Sequence, residues 1–211
     1  MVMDINTLKD AVARVRVIPV LVLDDISLAR PLAEALVRGG LNVLEITLRT
    51  PNALRIISEM AKVEGAIVGS GTVRGFEHMQ QSVDAGCQFM VSPGAPQELL
   101  ASAQNIDIPL LPGVSSPTEA MGAAEMGYSF LKFFPAQAMG GTAVLKSFAS
   151  PFPDLVFCPT GGVSPANAPN YLGLCNVICV GGSWVTPTEL VKKRDFAAIE
   201  ELARQAAQLG R

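Results

Sequence analysis

Short apolar runs recur about eight times along the chain, each followed by a turn rich in Gly, Pro, Ser or Thr and then by apolar residues at helical spacing. The strand candidates are residues 17–23, 43–48, 66–69, 89–92, 109–111, 130–133, 155–158 and 177–180. They are apolar on both faces, as strands are when helices cover one side and a packed interior fills the other. The helix candidates between them are residues 28–38, 51–62, 75–85, 96–104, 117–126, 142–150 and 165–172, several with proline in the first turn and glycine at the end. Residues 6–16 form an additional N-terminal helix closing one end, and 196–209 the last outer helix. This alternation predicts an α/β fold, and about eight units in so short a chain fit a closed parallel (β/α)8 TIM barrel better than an open doubly wound sheet. No linker or low-complexity segment interrupts the pattern, so residues 1–211 are read as one barrel domain.

Composition narrows the function more than the fold. With 49% hydrophobic residues the chain can bury one substantial core, and its formal net charge of -3 is spread without a basic face, which argues against nucleic acid as a partner. The first residues lack the apolar stretch of a secretory signal, and no apolar run approaches the ~20 residues of a membrane span, so the expectation is a soluble, cytoplasmic protein. Cys87, Cys158, Cys175 and Cys179 form no CxxC pair and read as reduced packing residues. The one histidine, His78, lies in a polar helical stretch, so a zinc site built on several histidines cannot be made. A Ser-His-Asp triad would rest on that same surface residue. The chemistry is left to Lys, Glu, Arg and hydroxyl groups, with no metal or cofactor.

Two charged residues intrude into apolar strands. Lys132 stands in Phe130-Leu131-Lys132-Phe133-Phe134-Pro135, where a two-residue period puts Phe130, Lys132 and Phe134 on one face. Burying an ammonium among aromatic rings is costly unless it is paired or loses its proton, and a neutral amine is a nucleophile for carbonyl carbon. The plainer reading is a lysine paired with a buried carboxylate for structure alone. Glu45 stands in Val43-Leu44-Glu45-Ile46-Thr47-Leu48-Arg49, where the same period aligns Val43, Glu45, Thr47 and Arg49 along the interior. Glu45 is then placed to shuttle protons for Lys132, and Arg49, nearer the loops, to grip a carboxylate; alternatively Glu45 and Arg49 satisfy each other. Three glycine-rich segments, at 69–73, 160–164 and 181–184, read as turns, and the last two follow the seventh and eighth strands, where barrels assemble phosphate sites from backbone N–H groups.

Taken together, Ile18-Pro19-Val20, Leu44-Glu45-Ile46-Thr47-Leu48-Arg49-Thr50, Gly69-Ser70-Gly71-Thr72-Val73, Val91-Ser92-Pro93-Gly94, Leu111-Pro112-Gly113-Val114-Ser115-Ser116-Pro117-Thr118-Glu119, Leu131-Lys132-Phe133-Phe134-Pro135-Ala136 and Pro159-Thr160-Gly161-Gly162-Val163 make the chain resemble, over nearly its whole length, the 2-keto-3-deoxy-6-phosphogluconate (KDPG) and 4-hydroxy-2-oxoglutarate (KHG) aldolases. The resemblance implies that Lys132 is the Schiff-base lysine and Glu45 the general acid/base. It implies that Arg49 and Thr72 hold the substrate carboxylate, that Pro93 shapes the pocket and that Phe134 packs beside the imine. It further implies that Thr160 contacts substrate hydroxyls, that Gly161, Gly162 and Ser183 receive the phosphate, and that the protein is a homotrimer. Three alternatives stay open at this point: an aldolase for the phosphogalactonate epimer or for unphosphorylated substrate, an epimerase or isomerase on a phosphate-binding barrel, and a non-catalytic barrel that binds phosphometabolites.

Overall fold

Nine strands form among the described residues: β1 (Val17–Leu21), β2 (Val43–Thr47), β3 (Ile67–Gly71), β4 (Phe89–Val91), β5 (Leu110–Leu111), β6 (Gly113–Val114), β7 (Phe130–Phe133), β8 (Val156–Pro159) and β9 (Val180–Gly182). The structure, a computed structural model, describes residues 3–209; residues 1, 2, 210 and 211, the ends of the expected domain, lie outside the described residues. All pairings are parallel. One sheet runs β5-β4-β3-β2-β1-β9 and a second runs β6-β7-β8. The same chain segment serves both: β5 and β6 are separated only by Pro112, which has no N–H to give a ladder while its carbonyl accepts the Lys132 N–H at 2.8 Å. Isolated bridges Phe157↔Val177 and Thr160↔Gly181 link β8 to the β9 segment. Both sheets therefore belong to one curled parallel α/β arrangement.

The helices are α1 (Ile5–Val15), α2 (Ala29–Arg38), α3 (Ala53–Met60), α4 (Phe76–Asp84), α5 (Gln97–Ala103), α6 (Pro117–Glu125), α7 (Gly141–Phe148), α8 (Ala168–Leu172), α9 (Thr188–Lys192) and α10 (Phe196–Ala206). Each longer helix presents one apolar stripe inward. In α1 it is Leu8, Val12 and Val15, started by Asp4, whose carboxylate accepts the Thr7 N–H at 2.7 Å. Helix α6 opens with Ser116 and Glu119 in a reciprocal capping box and Pro117 in its first turn. Outside β7 and β8, Phe133 meets Phe148 of α7 edge to face, with ring centroids 6.1 Å apart, and Phe157 packs on the same ring. Phe133 and Leu131 thus face the helices, which leaves Phe130, Lys132 and Phe134 for the interior. Among the described residues, no helix is long and apolar enough to cross a membrane.

Two sequence expectations need correction. Of the three glycine-rich segments only one carries its glycines in the turn: Gly69 and Gly71 lie inside β3, and Gly181 and Gly182 inside β9 with the bend following at Ser183 and Trp184, whereas Gly161 and Gly162 turn with φ of 98° and 74°. The strand glycines are there for close approach. A β-carbon on Gly69 would lie 2.5 Å from the Phe89 ring, and one on Gly181 would fall on the Thr160 hydroxyl. The eighth strand is accordingly displaced from 177–180 to Val180–Gly182, paired residue by residue with Val17, Ile18 and Pro19.

Candidate active site

Lys132 is the third residue of β7 and Glu45 the third of β2, the middle strand of one sheet and a central strand of the other. Lys132 Nζ donates to Glu45 Oε1 at 3.2 Å across the interior, and each side chain is 4% exposed. Of the six lysines, Lys132 alone is buried. The curl of the sheet, which brings β7 opposite β2, makes this pair. A buried amine and carboxylate have lost most of their hydration, so each is held in place by the other and by its walls. The Phe134 ring is one such wall, its centroid 5.3 Å from Nζ.

The remaining expected residues lie on the neighbouring strands and on the turns that follow them, and Ser183 lines a cavity that includes neither member of the pair. Arg49 lies just past the end of β2, exposed, and its Nε donates to the Thr72 hydroxyl at 3.1 Å. Glu45 and Arg49 do not neutralise each other: Glu45 takes Lys132 and Arg49 takes Thr72. Thr72 itself has φ 63°, a left-handed conformation that a β-branched residue rarely adopts. Thr47 is buried, its hydroxyl donating to the Leu21 carbonyl at 2.9 Å. Pro93 packs its backbone over Gly113, the register partner of Lys132: a β-carbon on Gly113 would lie 2.5 Å from the Pro93 carbonyl carbon.

Thr160 closes β8, buried, bridged to Gly181, with its hydroxyl 3.4 Å from the Cys158 carbonyl oxygen, to which it donates. Gly161 touches Phe134: its notional β-carbon stands 3.4 Å from the ring edge. The turn at Gly161 and Gly162 is braced by residues that sequence reading missed. Asn167 donates from Nδ2 to the Gly162 carbonyl at 3.0 Å and accepts the Ser164 N–H at 2.8 Å. Gln137, whose side chain fills the space beside Gly162, accepts the Tyr171 hydroxyl at 3.0 Å. Both Asn167 bonds run back to residues three and five positions earlier, a long-reach closure of the turn that local sequence pattern does not signal. Ser183 is exposed just past β9, on the wall of a cavity of about 580 Å³ that also carries Asp24, Asp25 and Lys192. His78 stays on α4, its Nδ1 accepting the Arg74 N–H at 3.3 Å, away from the pair.

An amine and a carboxylate sharing a dry interior, with polar groups toward the strands' carboxyl ends, are the equipment of enzymes that act on a carbonyl substrate through an imine, and that is the class the fold and site define. The family model for KDPG and KHG aldolases matches residues 8–202. The 2-dehydro-3-deoxy-phosphogluconate aldolase of Zymomonas mobilis is 49% identical over 203 residues, 96% of this chain and 96% of that protein. The KHG/KDPG aldolase of Escherichia coli K12 is 46% identical over 193 residues, 91% of each chain. The structure of the Legionella pneumophila KDPG aldolase, with pyruvate captured at low pH as a covalent carbinolamine intermediate, matches with a TM-score of 0.90 at 44% identity, covering 93% of this chain and 96% of that one. The chain belongs to the KDPG and KHG aldolase family, a family of aldehyde-lyases.

Proposed function

We propose that this protein is a class I aldolase that cleaves 2-keto-3-deoxy-6-phosphogluconate to pyruvate and glyceraldehyde 3-phosphate, and also 4-hydroxy-2-oxoglutarate to pyruvate and glyoxylate. The observation that carries the reading is the buried Lys132–Glu45 contact at 3.2 Å. Neutral Lys132 adds to the C2 ketone, and Glu45 relays the protons as the carbinolamine loses water. The resulting iminium accepts the electron pair of the C3–C4 bond as it breaks. Glu45, directly or through water, takes the proton of the C4 hydroxyl, so C4 leaves as the aldehyde and C3 becomes part of an enamine. A proton returned to C3 and addition of water then free pyruvate and the amine. The iminium is the electron sink here, so the chemistry calls for no cofactor.

Arg49 and Thr72 are assigned to the substrate carboxylate, Pro93 and Phe134 to the pocket walls, and Thr160 to the C4 hydroxyl. Gly161 and Gly162 offer their turn to the phosphate. Ser183 is assigned there as well through the Thr160↔Gly181 bridge, which brings the two strand ends together; the cavity it lines also carries Lys192 along with Asp24 and Asp25. We further propose one domain forming a closed (β/α)8 barrel; the β5–Pro112–β6 segment and the two β8–β9 bridges support closure. A cytoplasmic homotrimer completes the reading, the trimer on family resemblance.

The test compares kcat/KM for the gluconate substrate and its C4 epimer, the phosphogalactonate form. A preference for the gluconate form is expected from Thr160, and equal values or the opposite preference would overturn that choice. Activity toward neither of them nor toward 4-hydroxy-2-oxoglutarate would overturn the aldolase.

A further inference from the structure

Gly71, the last residue of β3, is glycine for a reason its own backbone does not supply, since it lies outside the left-handed region that favours glycine. What excludes a side chain is Glu45. The three nearest atoms to a β-carbon built on Gly71 all belong to that residue: Oε1, then Cγ at 2.8 Å and Cδ at 2.9 Å. The same Oε1 receives Lys132 Nζ at 3.2 Å on its other side. The Glu45 carboxylate therefore occupies the volume between an amine and an absent side chain. Gly69, two residues earlier on the same strand, differs: its missing side chain makes room for the Phe89 ring, a core contact.

We propose that Gly71 is a positioning residue for Glu45, holding open the space in which the carboxylate reaches the reacting carbon; this rests on the Lys132–Glu45 reading above. A methyl group at position 71 must displace the carboxylate, because close-packed interiors leave a displaced group few places to go. The step most exposed to that shift is proton transfer at C3 of bound pyruvate. There the C3–H bond breaks, its electron pair forms the enamine C=C as the iminium nitrogen takes up the C=N pair, and the proton passes to Glu45; the reverse transfer returns a solvent proton to C3. Imine formation at equilibrium does not need the carboxylate in that position.

The experiment follows deuterium uptake into the methyl group of pyruvate in D2O by NMR for the parent protein and Gly71→Ala, alongside borohydride trapping of pyruvate. Exchange about 100-fold slower is expected in Gly71→Ala, with Lys132 still labelled. Labelled Lys132 with exchange at the parent rate would overturn the inference while leaving the aldolase intact. An unlabelled parent protein would instead overturn the underlying reading. The urea midpoints of Glu45→Ala and the double variant Glu45→Ala/Gly71→Ala provide a second readout, since removing Glu45 removes the collision. The midpoint of the double variant should equal or slightly exceed that of Glu45→Ala, since alanine restricts the unfolded chain, even if Gly71→Ala alone fails to fold. A double variant that is markedly less stable than Glu45→Ala would show that Gly71 serves something other than Glu45, and the inference would fall.

Discussion

A lysine and a glutamate, each 4% exposed and 3.2 Å apart, are an expensive arrangement for a protein interior, and both were visible in the sequence because a charge in an apolar strand is an anomaly at the level of single residues. Their conformational support was less visible. Thr72 adopts φ 63°, which for a β-branched residue stores about 1–3 kcal/mol of strain, and nothing in the letters Gly-Thr-Val reports a dihedral angle. What it gains is a hydroxyl aimed to receive Arg49 Nε at 3.1 Å. Thr72→Gly should therefore stabilise the fold by about 1 kcal/mol in urea denaturation while raising KM for the 2-keto acid more than it lowers kcat. A destabilised variant with unchanged KM would contradict this role. Gly71 was equally silent in the sequence, since only the side chain across from it explains it.

At the scale of elements, alternating apolar runs and helical spacings marked most strands and helices, and the errors have one physical origin. Glycine was read as turn-forming because of its backbone freedom. In β3 and β9 it matters for what it lacks, letting Phe89, Glu45, Thr160 and Trp184 press against strand backbone. Proline misled in the same way: Pro112 interrupts a ladder without ending the extended path, so β6 beyond it went unread. Helix α6 illustrates an element whose start is secured by charge. Burial raises the pKa of the Glu119 carboxyl, but donors from Ser115 and Ser116 outweigh it and hold the carboxyl below its usual range. A carboxyl depressed in the folded state contributes stability above its ordinary pKa and loses it as pH falls through the lowered one. Glu119→Gln should thus lower the urea midpoint at neutral pH by the equivalent of about 1 kcal/mol or less, given solvent screening, with the difference shrinking as the pH falls through the lowered pKa. A gap that persists unchanged in acid would contradict the charge-based account of the cap.

For the whole molecule, the curl of the parallel sheet is what turns a sequence anomaly into a site, because Lys132 and Glu45 are 87 positions apart and meet only when β7 faces β2. The fold class was legible from the βα alternation; which strand faces which was not, since periodicity assigns faces and leaves partners undetermined. The same enclosure protects the thiols. Cys87, Cys158 and Cys179 are buried and Cys175 is exposed, and burial pushes Cys87 up to about 12 and raises Cys179 strongly. A thiol reagent should therefore modify one cysteine per chain rapidly in the native protein and all four in denaturant; more than one rapid equivalent would show that the interior opens without unfolding. The most direct measurement of the central claim is borohydride reduction in the presence of pyruvate, followed by peptide mass mapping. The account predicts a stable pyruvyl adduct on Lys132, absent in Lys132→Ala. An adduct on another lysine, or none while cleavage proceeds, would contradict it.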